Sequence, residues 1–154
     1  MAAFVFDASG IIKRYIQEVG TKWVQTLTDP AAGHEIFLTR ITRVEVTAAL
    51  ARRGRGGFPS GMSVAAILSQ FRYDLAHQYN TLEIVPALLV EAERLAERHG
   101  LRGYDAVQLA ASASLHHGRS AAGLSGLTLI SADGELNAAA LAEGLAVDDP
   151  TSHP

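Results

Sequence analysis

The chain has 154 residues, 48% hydrophobic and 19% charged, with a formal net charge of −3 and no cysteine. That length is most simply one domain, large enough to bury a core without a covalent staple. The missing cysteines exclude disulfides, thiol catalysis and Cys-ligated zinc or iron–sulfur centres, and they fit a reducing compartment.

In chain order, short apolar runs alternate with helical stripes, the pattern of a parallel sheet covered by helices on both faces. Ala2 to Phe6 reads as the first strand and Ile11 to Tyr15 as the start of a helix. A second helix is expected from Thr21 to Leu27, ended by Asp29-Pro30, and a second strand from Glu35 to Thr39. Thr42 to Arg53 is helical, and Gly54 to Gly61 then breaks regular structure. Val64, Ile67, Leu68, Phe71 and Leu75 recur at helical spacing, which predicts a helix over Met62 to Gln78. Leu82 to Val85 is the expected third strand, closed by Pro86, and Leu88, Ala92, Leu95 and Ala96 mark the helix after it. An Ala-rich helix is expected over Asp105 to His117 and a loop over Gly118 to Gly126. Thr128 to Ser131 gives a fourth strand, Leu136 to Glu143 a last helix, and Leu145 to Val147 an edge strand. No repeat or second boundary is visible, so residues 1–148 are expected to form one domain and 149–154 a polar tail.

Four acids stand where a strand ends or a helix begins: Asp7, Glu45, Asp105 and Asp133. In a parallel sheet those junctions share one edge, where ligands bind outside the carboxyl ends of the strands. Carboxylates gathered there repel one another unless a cation sits between them, the outline of a metal-dependent hydrolase. Each acid also has a plain structural explanation. Thr42-Arg43-Val44-Glu45 matches a capping box, Asp105 could cap its helix, Asp133-Gly134 is ordinary turn chemistry, and Asp7 could be a solvated strand end with Ser9 as the helix cap. Structural chance does not explain why separate elements all deliver an acid to one edge.

The segment Phe6-Asp7-Ala8-Ser9-Gly10-Ile11-Ile12-Lys13-Arg14-Tyr15 resembles the opening of PIN-domain proteins, particularly VapC-type toxins of toxin–antitoxin pairs. Thr42 to Val46 is similar to that family's second acidic motif, Leu101 to Ala111 to its third and Ile130 to Asn137 to its last, in family order. Position 137 is Asn where many relatives carry another acid, and the glycine-rich insert is longer than expected. The resemblance implies a three-layer α/β fold with a parallel sheet of four to five strands and a metal-dependent ribonuclease. It carries the acidic roles onto Asp7, Glu45, Asp105 and Asp133. Oxygen ligands without Cys or patterned His select Mg²⁺ or Mn²⁺. Asp7 and Asp105 are then the principal ligands, Asp133 completes the site, and Glu45 binds through water or orients the attacking water. Ser9, Ser131 and Asn137 are candidates for bonding a ligand carboxylate or a phosphate.

Arg52, Arg53 and Arg55 beside glycines are candidates for RNA phosphates, and Tyr104 for stacking a base; solvated helix ends and packing are the plain alternatives. Phe58 and Trp23 could stack as well, with packing favoured for Trp23. The six histidines show no metal-ligand spacing. Expected partners are an RNA substrate, a cognate antitoxin and a second copy of the chain, as a homodimer or within a higher toxin–antitoxin assembly. The antitoxin groove is expected between the first helices and the Met62 to Gln78 helix, rimmed by Ile12, Ile16 and Trp23. Met1-Ala2-Ala3-Phe4 lacks the basic region of a leader and no later run could cross a membrane, so cytoplasmic location is expected. Two other functions compete. A catalytically silent PIN-like module would bind RNA or protein; a receiver-like phosphotransfer domain is disfavoured, since no paired acid adjoins Asp7 and no Lys follows a late strand.

Overall fold

In a computed structural model describing residues 1–154, the chain forms β1 (Ala3–Phe6), α1 (Ala8–Ile11), α2 (Thr21–Leu27), β2 (Glu35–Thr39), α3 (Thr42–Arg53) and α4 (Val64–His77). These are followed by β3 (Asn80–Leu82), α5 (Pro86–His99), α6 (Gly103–Ala121), β4 (Leu127–Ile130), α7 (Gly134–Ala142) and β5 (Ala146–Asp148). The five strands pair in parallel in the order β3-β2-β1-β4-β5. β1 is therefore central, and the winding direction reverses between β1 and β4, which opens a crevice beyond their carboxyl ends.

The period-two alternation of the strands sorts side chains between two apolar layers. Ala3, Val5, Leu127 and Leu129 face α5, α6 and α7, with Leu95, Leu109 and Leu136 among their partners. Phe6, Ile36, Leu38 and Ile130 face the opposite side, where Ile11, Val46, Leu50, Ile67 and Phe71 cover them. In the second layer Asp74 is fully buried, accepting bonds from the Tyr15 hydroxyl at 2.7 Å and Gln70 Nε2 at 3.0 Å, with Arg14 Nε at 3.3 Å. No helix is long and apolar enough to cross a membrane.

Several boundaries differ from the sequence expectation, each for a physical reason. The first helix starts at Ala8, because Asp7 rather than Ser9 caps it by accepting from the Gly10 amide; residues Ile12–Arg14 then tighten into a 3-10 turn. The third strand lies at Asn80–Leu82, in register with Phe37–Thr39, and Pro86 opens α5 at its first turn instead of closing a strand. The long helix α6 runs through Gly118 to Ala121. A mid-helix glycine costs about 1 kcal/mol, and here Arg119 anchors the extra turn: it is buried, pairs with Glu35 at 2.8 Å and donates to the Ser125 carbonyl at 3.0 Å. Residues 149–154 fold back on α2, with Pro150 buried and the His153 ring stacked on Trp23 at 4.0 Å.

Two glycines in this frame predict opposite outcomes. At Gly10, where α1 crosses the end of β4, an added Cβ would fall on the Ile130 carbonyl oxygen and against Phe6. Gly10→Ala should lose about 1–3 kcal/mol of stability, the usual cost of overpacking. Gly118 has open space around its missing Cβ, so Gly118→Ala should gain about 0.5–1 kcal/mol from helix propensity. Denaturant unfolding of the two variants beside the parent checks both signs.

Candidate active site

All four acids predicted from the sequence reach the carboxyl edge of the sheet. Asp7, Glu45, Asp105 and Asp133 line a single open cleft of about 740 Å³, together with Ser9, Arg52, Arg102 and Tyr104. Ile41, at the cap of α3, and Val44, Ala48 and Ala49 within it give the cleft an apolar wall. Asp7 follows β1, Glu45 lies in the first turn of α3, Asp105 in the first turn of α6, and Asp133 precedes α7.

The capping explanations divide. Asp133 does cap α7, accepting from the Leu136 amide at 3.0 Å, and Asp7 caps α1 at 2.8 Å from the Gly10 amide. The capping box at Thr42 does not form. Ile41 is the cap residue of α3, and the Thr42 hydroxyl turns instead to Thr39 and to the Gln108 carboxamide oxygen. Glu45 is thereby free of the helix end and faces the cleft. Asp105 is no cap either: Arg102 holds that position, and α6 begins at Gly103.

Asp7 is the buried member, 8% exposed. Its carboxylate accepts from the Ser9 hydroxyl at 2.8 and 2.9 Å, from the Ser131 hydroxyl at 2.8 Å and from the Gly10 amide. Burial outweighs these donors and pushes its pKa up to about 6, with the Asp105 charge adding to the rise. Ser9 and Ser131 thus serve the Asp7 carboxylate, and they are locked in turn. Ser9 Oγ accepts from the Ala132 amide at 2.9 Å, Ser131 Oγ from the Asp133 amide at 3.0 Å, and Asn137 Nδ2 donates to the Ser131 carbonyl at 2.8 Å. Asn137 leaves its Oδ1 buried without a donor, and Gln108 leaves its Nε2 buried without an acceptor.

Glu45 is pushed up to about 7, by burial first and then by the charges of Asp7 and Asp105. Asp105 is raised as well, by burial and then by Asp133, against a lowering pull from Arg102. That arginine was not singled out by the sequence reading. It lies three residues before Asp105, bonds Asp105 Oδ2 through Nε at 3.2 Å and reaches Asp133 Oδ2 through Nη2 at 2.9 Å. The i, i+3 spacing of opposite charges at a helix start was the signal available for the first contact; the second depends on β4 bringing Asp133 alongside.

The donor set fits a hard divalent cation in kind: oxygens only, with three carboxyls raised partly by one another. As the side chains stand, no three acidic or histidine groups converge tightly enough to grip one ion. Asp105 and Asp133 are instead bridged by the Arg102 guanidinium.

The RNA-contact candidates separate. Arg52 and Tyr104 are at the cleft, and Tyr104 is 61% exposed. Arg53 turns away to pair with Glu18, and Arg55 sits in the Gly54–Gly56 turn, outside the residues that line the cleft. Phe58 lines a separate cavity of about 450 Å³ between α2 and the glycine-rich insert, which includes Ile16, Arg14, Glu18 and Met62. The expected rim of an antitoxin groove is only partly present. Ile16 lines this cavity, whereas Ile12 is 2% exposed and Trp23 is covered by His153.

No protein-family model matches the chain, and no curated protein matches it. Among solved structures, it is similar to the crystal structure of PAE2754 from Pyrobaculum aerophilum. The TM-score is 0.64 at 22% identity, over 98% of this chain and 85% of that one. It is also similar to the crystal structure of FitAcB from Neisseria gonorrhoeae, with a TM-score of 0.54 at 16% identity, over 96% of this chain and 97% of that one. At these identities the likeness is one of fold. The architecture is the three-layer, PIN-like α/β arrangement expected from the sequence motifs.

The raised Glu45 carboxyl gives a signed pH prediction. Its folded-state pKa lies above the unfolded value, so the native state binds more protons; its contribution to stability is full below about pH 4.5 and is lost as pH rises through about 7. Glu45→Gln should therefore stabilise the metal-free protein at pH 8, by on the order of 1 kcal/mol after discounting for solvent at a half-buried site. The gain should vanish at pH 4.5. Melting curves in chelator at both pH values read the difference.

Proposed function

We propose that the chain is a metal-dependent endoribonuclease of PIN type, acting as the toxin of a toxin–antitoxin pair. The observation that carries this reading is the meeting of four acids, from four elements far apart in sequence, in one cleft at the switch point of the sheet. The ordered motif resemblance along nearly the whole chain supports it, and the fold agrees. Asp7, Asp105 and Asp133 are the residues that would hold Mg²⁺ or Mn²⁺. Bound there, the metal lowers the pKa of water, polarises the phosphoryl oxygen and steadies the leaving oxygen.

The chain's own residues do the rest. Asp7 is kept in one orientation by Ser9, Ser131 and Gly10. Glu45, with a pKa near neutrality, suits a group that orients the attacking water and accepts its proton. Water oxygen bonds to phosphorus, the bond to the 3′ oxygen breaks and solvent reprotonates that oxygen, leaving a 3′-hydroxyl and a 5′-phosphate. Arg52 at the wall suits a backbone phosphate, and the exposed Tyr104 ring suits a flanking base. For the partners, the cavity lined by Ile16, Phe58 and Met62 is our candidate antitoxin surface, and exposed Val85, at the cap of α5, with Leu89 and Val90 on the helix suit self-association.

A catalytically silent RNA- or protein-binding module is the second reading. It is favoured by the absence of any three gathered metal-binding side chains.

Titration with Mn²⁺ separates the readings. The nuclease should melt higher in Mn²⁺ than in chelator, since a native-state ligand stabilises by mass action, and should cut a structured RNA only with metal. Asp105→Asn should lose cleavage by orders of magnitude while melting higher than the parent in chelator, because one repelling charge is gone. Metal binding without turnover would point to the silent module, and no metal effect at all would end the hydrolase reading.

The partner assignment has its own test. Co-expression with the protein encoded by the adjoining reading frame should give a stable complex with little ribonuclease activity. Separate purification with undiminished cleavage would remove the toxin–antitoxin assignment and leave the nuclease standing.

A further inference from the structure

Arg102 joins two acids of the cleft and nothing else. The only hydrogen bonds of its side chain are Nε to Asp105 Oδ2 at 3.2 Å and Nη2 to Asp133 Oδ2 at 2.9 Å. The Arg102 side chain is 75% exposed, whereas the side chains of Asp105 and Asp133 are 17% and 22% exposed, so it approaches them from the solvent side. Its backbone lies just outside α6 in extended conformation, and the side chain can leave without moving the helix. Rotamer changes of exposed side chains take picoseconds to nanoseconds.

We propose that Arg102 is the chain's own occupant of the cation position, competing with a divalent metal for Asp105 and Asp133. The proposal rests on the metal-dependent reading above and adds a residue to it. With Arg102 in place one positive charge is shared between the two carboxylates by a group that spans them, and no three ligands gather around one point. Exposed ion pairs are weak, so the bridge yields to a metal. It still reduces apparent metal affinity by the fraction of time that the carboxylates are closed. The bidentate fork matters here, since a single ammonium cannot hold both carboxylates in the same way.

The test is calorimetric titration of Mn²⁺ into the full chain without RNA, for wild type, Arg102→Ala, Arg102→Lys and Arg43→Ala. Arg43 lies exposed on α3, outside the residues lining the cleft, and its removal makes the same change in net charge. Arg102→Ala should bind Mn²⁺ about three- to ten-fold tighter, the size expected when an exposed pair no longer has to open. Arg102→Lys should fall between that variant and wild type, and Arg43→Ala should match wild type. Equal or weaker binding by Arg102→Ala overturns the proposal, as does an equal gain in Arg43→Ala, which would make the effect one of overall charge. If wild type binds Mn²⁺ and cleaves RNA while Arg102→Ala gains nothing, this inference alone fails. If none of the four proteins binds Mn²⁺, it falls together with the metal-dependent reading.

Discussion

The structure turns on keeping one carboxylate, that of Asp7, out of water at the end of the central strand. Isolated, a buried carboxylate is among the costliest groups a fold can hold. Here its cost is offset by donors recruited from both sides of the switch point: Ser9 and Gly10 from α1, and Ser131 from the end of β4. Those donors are themselves fixed, through Ala132, Asp133 and Asn137. A single charge thus determines how β1, α1, β4 and α7 meet, and the close approach at Gly10 is the packing counterpart of that bonding.

Around this fixed centre the other acids are arranged with less constraint. Glu45 sits against an apolar wall without a bonded partner, and the partly buried Asp105 and Asp133 share Arg102. The cleft is therefore unfavourable to the folded state at neutral pH, as expected where charge is concentrated for use and not for stability. The two well-packed apolar layers on either side of the sheet carry the fold despite it. A division of labour between a rigid sheet and an unstable edge is common where sites sit at strand ends.

Most of this frame is legible in the residues. Thr21–Leu27, Glu35–Thr39 and Thr42–Arg53 appear where periodicity puts them, since each is bounded by local turn or cap chemistry. Misreadings arise where distant contacts override local signals. Gly118 looks like a helix stop until Arg119 is seen anchored to Glu35, a residue of β2. Thr42 and Glu45 look like a capping box until Gln108, from α6, takes the Thr42 hydroxyl. The gathering of the acids at one edge follows from the alternation of strands and helices alone. The bridge made by Arg102 does not, because it needs Asp133 brought in from 31 positions away.

The bond from Ser131 to Asp7 has a temporal side. It joins residues 124 positions apart, and the central strand lacks one of its two neighbours until β4 has been made. Pairing over such separation is slow and comes after local helices have formed. A chain still being synthesised can hold its first helices and even pair β1 with β2, yet it has no donor for Asp7 from the far side of the crevice. The cleft is thus assembled only after the segment through Asp133 has been made, late relative to the local helices.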